Sequence, residues 1–256
     1  MTPPSNTGPG NNPDTGPGRA EPRVQRRGWS RRLSSSPPWR WISRQPVTPP
    51  QPEHPGDTRD ASYATRLAGS VGQRRGWRRI IDPQLPYRWN IRRMDLGRVL
   101  DIGCGAGRNL GHLRGNGVGV DHNPASVAIA RAGGHTAYVT GDFDGSAHAV
   151  AASFDSLLFA HVLEHMTSEE ASTLIERYLP FLAAGGQVVA ICPQQRGQRS
   201  DPTHVTFMPT AVIASIFADA GLDVHRSRSF PFPEAVGRVF TYNETVVCGR
   251  RFADTR

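Results

Sequence analysis

The residues best suited to chemistry sit in two short stretches. "DIGCGAGRN" sets Asp101 ahead of Gly103, Gly105 and Gly107, with Cys104 between the first two glycines. "HVLEH" sets two imidazoles and a carboxylate, His161, Glu164 and His165, within five residues. Glycines at alternate positions let backbone approach a ligand where a Cβ would clash. A carboxylate ahead of them repels a diphosphate and suits a cationic ligand. The G-x-G-x-G spacing also departs from the G-x-G-x-x-G of a dinucleotide site, whose sixth position is Arg108 here. Two histidines and a glutamate at close spacing can hold a metal or pass a proton. Once a helix has begun at His161, all three share one face.

The elements that must position these groups follow a β-α alternation from about residue 84 onward. "GRVLDIG", "GVGVDHN", "HTAYVTGD", "FDSLLFA" and "QVVAICP" read as strands. Between them "GRNLGHLRG", "PASVAIARAGG" and "SEEASTLIERYLPFLAAGG" read as helices, the last capped by Ser168. "PTAVIASIFADAG" is a further helix, and "LDVHRSRSF" and "RVFTYNETVVCG" close the chain as two strands. "LPYRWNIRRM" is a short helix leading into the domain, either a lid on a ligand pocket or packing alone. Such alternation gives an α/β sheet covered on both faces, with ligands beyond the C-terminal strand ends. Asp101 belongs to the first such end. Asp121, twenty residues on, should end the second strand, where a carboxylate accepts both ribose hydroxyl protons. Asp142 should end the third beside Phe143, a carboxylate for an exocyclic amine and a ring to flank a purine.

These segments, in this order and spacing, resemble the class I S-adenosylmethionine-dependent methyltransferases over roughly residues 97–250. The resemblance implies a Rossmann-like seven-stranded sheet of order 3-2-1-4-5-7-6, its last strand antiparallel. It implies that Asp101, Gly103, Cys104, Gly105 and Gly107 line the methionine and ribose of S-adenosyl-L-methionine. Asp121 then holds the ribose, Asp142 and Phe143 the adenine, and His161 faces the methyl group. Locally, "HVLEH" is similar to the E-x-x-E-H segment of small-RNA 2′-O-methyltransferases and ubiquinone-pathway O-methyltransferases, with His161 in place of the first glutamate. "SDPTHVTF" supplies His204 where the RNA group has a further histidine. That implies a metal set of His161, Glu164, His165 and His204. One carboxylate with three imidazoles favours a divalent transition metal over magnesium. The competing reading is a plain helix start, with His161 or His204 as general base. The H-x-x-E-H pattern of a zinc hydrolase also fits the letters, but requires another architecture.

The totals set the boundaries. Net charge is +8 over 256 residues, with no lysine among the 30 basic side chains. Residues 1–79 carry 14 Arg against 5 acids, and residues 80–256 carry 16 against 17, so the basic character belongs to the N-terminal part. Residues 1–60 hold 13 of the 22 prolines and little apolar periodicity, so residues 1–75 are expected to be a disordered tail and 76–256 the domain. "QRRGW" occurs at 25–29 and again at 73–77; Arg interleaved with Trp can bind nucleic acid or an anionic membrane surface, but a low-complexity extension without a partner is the favoured reading. Neither a secretory leader nor a membrane span is expected. Cys104, Cys192 and Cys248, odd in number and far apart, fit a reducing cytoplasm. The expected activity is methyl transfer to an oxygen of an unidentified acceptor. The alternatives are an RNA methyltransferase that uses the basic tail and a catalytically silent binding scaffold.

Overall fold

The computed structural model describes residues 85–251. The expected tail, the domain start at residue 76 and both "QRRGW" segments lie outside those residues. The elements are α1 (Leu85–Arg92), β1 (Val99–Ile102), α2 (Arg108–His112), β2 (Gly117–Asp121), α3 (Pro124–Ala132), β3 (Ala137–Val139) and α4 (Thr140–Phe143). There follow β4 (Phe154–Ala160), α5 (Ser168–Tyr178), β5 (Leu182–Pro193), α6 (Gln195–Gln198), α7 (Thr210–Asp219), β6 (Leu222–Phe230) and β7 (Glu244–Arg251). Short 3₁₀ turns lie at Leu163–His165, Leu179–Phe181 and Glu234–Arg238.

The seven strands form one sheet, β3-β2-β1-β4-β5-β7-β6. β1 pairs in parallel with both β2 and β4, and β7 runs antiparallel to both its neighbours. This is the expected order. Apolar residues fill both faces because successive side chains point to opposite sides. Leu100, Ile102, Leu157, Phe159, Val188 and Ala190 meet α5 and α7 through Ile175, Ile213 and Phe217. Val99, Leu158, Ala160, Val189 and Ile191 meet Ile91 of α1, with Met94 and Leu96 just beyond it. Each fully buried Leu, Ile or Phe contributes roughly 1.5–3 kcal/mol.

The chain passes from β1 to β2 and β3 on one side, then returns to β4 and β5 on the other. The C-terminal ends of β1, β2 and β4 are therefore adjacent, with Ile102 opposite Val120 and Phe159.

Local outcomes differ from the sequence expectations in four places. β3 stops at Val139, and Thr140–Phe143 turns into a helix, so Asp142 does not end a strand. α5 is capped by Thr167, one residue ahead of Ser168: its hydroxyl accepts from the Glu170 N–H while Glu170 accepts from the Thr167 N–H. "LAAGG" belongs to β5, because α5 ends at Tyr178 and a proline-containing turn follows. "RVFTYN" is turn, and β7 begins only at Glu244.

Candidate active site

The glycine loop leaves β1 with three left-handed residues, Gly103, Gly105 and Gly107, at φ 73°, 53° and 84°. Their roles differ. A Cβ on Gly103 would strike Val162, and one on Gly107 would strike His135, so these two permit close packing. At Gly105 a Cβ would meet nothing within 4 Å: this backbone faces open space. Asp121 holds the loop, one oxygen accepting from the Gly105 N–H and the other from the Asn123 N–H, both at 2.8 Å. Each oxygen keeps a second lone pair.

Asp101 lies under the loop, fully buried, with no hydrogen-bond partner of good geometry on either oxygen. Burial pushes its pKa up to about 8, against the pull of Arg108 at the start of α2. An unsatisfied buried carboxylate at the floor of an open cradle calls for a cation. Cys104 points the other way, into a small core with Leu110, Val127 and Ala130, and burial pushes its thiol far up, so only its backbone can face a ligand. Asp142 is exposed. Phe143 is fully buried, its ring against Tyr138, Tyr178 and Phe181, so its faces are taken up by the core and not offered to a purine.

His161 follows β4 at φ 60°, a left-handed conformation uncommon for a residue with a side chain. A 3₁₀ turn rather than an α-helix begins at Leu163, so His161, Glu164 and His165 do not share one face. Instead His161 lies between two carboxylates: Nδ1 is 3.2 Å from Glu164 and Nε2 is 2.8 Å from Glu244. Burial works to lower its pKa, but the hydrogen bonds to both carboxylates prevail and raise it to about 9. The ring is an imidazolium at neutral pH, without the lone pair that a general base needs. Burial would raise Glu164, yet its bond to His161 and the nearby histidine charges hold it below the usual range.

Beyond Glu164, the ligand atoms of Glu164, His165 and His204 lie within 4.8 Å of one another. His165 Nδ1 donates to the Thr203 carbonyl and His204 Nδ1 to the Gln198 carbonyl, each at 3.1 Å. A carbonyl can only accept, so each Nδ1 carries a proton, and in the neutral ring Nε2 then holds the lone pair. Burial lowers the pKa of His165, which favours that neutral form. The second oxygen of Glu164 is buried and unpartnered. Two imidazoles and a carboxylate thus converge, and backbone carbonyls fix both rings as metal ligands usually are. His161 stands outside this set.

The remaining wall comes from the β6–β7 connection. Phe232, Phe240 and Tyr242 form a run of edge-to-face rings, and Phe232 and Tyr242 stay exposed. Buried Asn243 pins this segment by donating to Gln194, Ser229 and the Phe232 carbonyl. The Tyr87 hydroxyl of α1 donates to the Tyr242 carbonyl at 2.8 Å. Burial first, then Glu244, raises the Tyr87 pKa. Glu244 went unassigned in the sequence reading; its signal was an acid opening the otherwise apolar "TVVC".

Residues 99–186 match the family model described as a methyltransferase domain. That stretch is about a third of the chain, and the seven-stranded order around it is the one expected of the class I S-adenosylmethionine-dependent methyltransferase fold. A search of curated proteins returns no match. Among solved structures, a methyltransferase of Haloferax volcanii in complex with the activator Trm112 is 21% identical, with TM-score 0.57 over 76% of this chain and 96% of that one. Magnesium protoporphyrin IX methyltransferase of Synechocystis with bound S-adenosylmethionine is 18% identical, with TM-score 0.53 over 76% and 93%. A methyltransferase of Archaeoglobus fulgidus is 19% identical, with TM-score 0.52 over 64% and 93%. At these identities the likeness is one of fold. The matched domain is one of methyl transfer, and its residues fit S-adenosylmethionine: open backbone at Gly105, a buried carboxyl at Asp101 and acceptor oxygens on Asp121. Among the described residues no helix is long and apolar enough to cross a membrane.

Proposed function

We propose that this methyltransferase methylates an oxygen of its acceptor, with a divalent transition metal held by Glu164, His165 and His204. The carrying observation is the convergence of two tautomer-fixed imidazoles and one orphaned carboxylate oxygen beside the end of β4. Bound there, a metal would supply Lewis acidity that lowers the pKa of an acceptor hydroxyl. A donor set of two imidazoles and one carboxylate suits zinc, manganese, iron or cobalt. The site residues are then Asp101, Gly105 and Asp121 for the adenosyl and methionyl parts, with Gly103, Gly107 and the Cys104 backbone shaping the loop. Asp142 is exposed near the adenine side and remains a candidate there.

Transfer is a displacement at the methyl carbon: a C–O bond forms, the C–S bond breaks, and sulfur keeps the electron pair as S-adenosylhomocysteine. The proton leaves the acceptor hydroxyl. The chain must hold the oxygen in line and exclude water. Phe232, Phe240 and Tyr242 supply an apolar wall, and exposed Val205 and Phe207 flank His204. An acceptor with an apolar or aromatic body and a hydroxyl fits these surfaces.

The test uses full-length protein, methyl-labelled S-adenosylmethionine and panels of hydroxylated aromatic, amine and thiol acceptors, with and without chelator. Label on oxygen that is lost on chelation and restored by manganese, zinc or cobalt is the expected result. Label confined to nitrogen or sulfur, or unaffected by chelation, would overturn the reading. Absence of S-adenosylhomocysteine binding would indicate a silent scaffold.

A further inference from the structure

We infer that His161 and Glu244 are positioning residues for the metal site, not ligands of it. Glu244 of β7, through the His161 ring, fixes the Glu164 carboxylate so that its second oxygen faces His165 and His204. This rests on the metal reading above.

The geometry assigns each atom one task. Glu164 is fully buried, and one of its oxygens accepts from His161 Nδ1 at 3.2 Å. That contact removes the rotational freedom of the carboxylate and leaves the other oxygen as the unpartnered one. His161 Nε2 is already committed to Glu244 at 2.8 Å, so neither ring nitrogen is available to a metal without breaking a hydrogen bond. The left-handed backbone at His161 aims the ring across the sheet edge towards β7. Glu244 is itself held at its base: it pairs with Pro193 in the β5–β7 ladder, and its carbonyl accepts from the Gln194 side chain at 3.3 Å. Neighbouring Asn243 is buried and bonded to Gln194. The line of support therefore runs from β7 through Glu244 and His161 to Glu164. Groups in such a supporting layer typically change metal affinity about 10- to 100-fold when removed.

The experiment titrates full-length, metal-free protein with Co²⁺ and follows its visible absorption. Wild type, Glu164→Gln, His165→Ala, His204→Ala, His161→Ala, Glu244→Ala and the double variant His161→Ala/Glu244→Ala are compared, with thermal melting of each metal-free form to confirm folding. Glu164→Gln, His165→Ala and His204→Ala should abolish the cobalt spectrum. His161→Ala and Glu244→Ala should each keep a spectrum of the same form and raise the cobalt Kd about 10- to 100-fold. The double variant should be no worse than His161→Ala alone, because Glu244 acts through that ring. Three results would overturn the inference alone: His161→Ala abolishing the spectrum, which would make it a ligand; both single variants matching wild type; or additive effects in the double variant. A folded wild type with no cobalt spectrum would bring down the metal reading as well, a distinct outcome.

Discussion

Asp101 carries a free-energy cost that a cation relieves. Its two oxygens are buried with no well-formed hydrogen bond, and burial raises its pKa to about 8 against the pull of Arg108 and Asn109. Between about pH 4 and pH 8 the folded, ligand-free protein holds a proton that the unfolded chain has released, so this group makes stability fall as pH rises through that window. S-adenosylmethionine carries positive charge on its sulfonium and its ammonium, and binding should expel the proton. Calorimetry at pH 7 in two buffers of different ionisation enthalpy should show proton release. Asp101→Asn should abolish that release and weaken S-adenosylmethionine about ten- to a hundred-fold, the scale of a hydrogen bond to a charged group. Proton release persisting in the variant would place the titrating group elsewhere. The neighbouring role assigned to Phe143 changed for an equally local reason. An aromatic after a strand can stack on a ligand or fill a core, and three rings around it make it core.

Elements separate two effects that are easily confused at this edge, stability and ligand space. Phe143→Ala, in α4, should cost about 3–5 kcal/mol of stability, because a large aromatic leaves a packed core. Urea denaturation measures this, and protein that remains folded should still bind S-adenosylhomocysteine. Gly105→Val, in the loop between β1 and α2, should do the reverse. Its φ of 53° costs a side chain only about 1–2 kcal/mol, but the Cβ enters the open cradle. S-adenosylhomocysteine binding by calorimetry should vanish while the melting temperature falls only modestly. The strands were legible as elements because apolar runs of four to seven residues bounded by glycine have few alternatives in an alternating chain. Their ends were not. β3 stops at Val139 because the next residues turn to bury Phe143, and no local signal in "TGDF" announces that. Thr167 and Ser168 are both good caps, and the reciprocal bond with Glu170 selects Thr167.

At the scale of the molecule, the start and end of the described chain meet over the site. Tyr87 lies 155 residues from Tyr242, yet its hydroxyl bonds that residue's carbonyl, and its ring packs edge-on to Phe230. α1 is thereby tied to the β6–β7 connection, and whether it acts as a lid or only packs there is open to test. Removing one such bond costs about 1 kcal/mol. Tyr87→Phe should raise the S-adenosylhomocysteine Kd about five-fold, read by calorimetry, with little change in melting temperature. An unchanged Kd would make α1 packing alone.

The β-α alternation, the glycine loop and the positions of Asp101 and Asp121 were readable from the letters, because each depends on short-range spacing, and the sheet order came with the family resemblance that those segments carry. The "HVLEH" histidines show the other case. Their local resemblance to metal-binding O-methyltransferases implied a common ligand set with His204, and folding divided them. His161 turned at a positive φ towards Glu244, 83 residues away, while Glu164 and His165 turned towards His204. Which partner a side chain finds across a sheet edge depends on where distant strands bring their ends, and spacing along one segment holds no record of that.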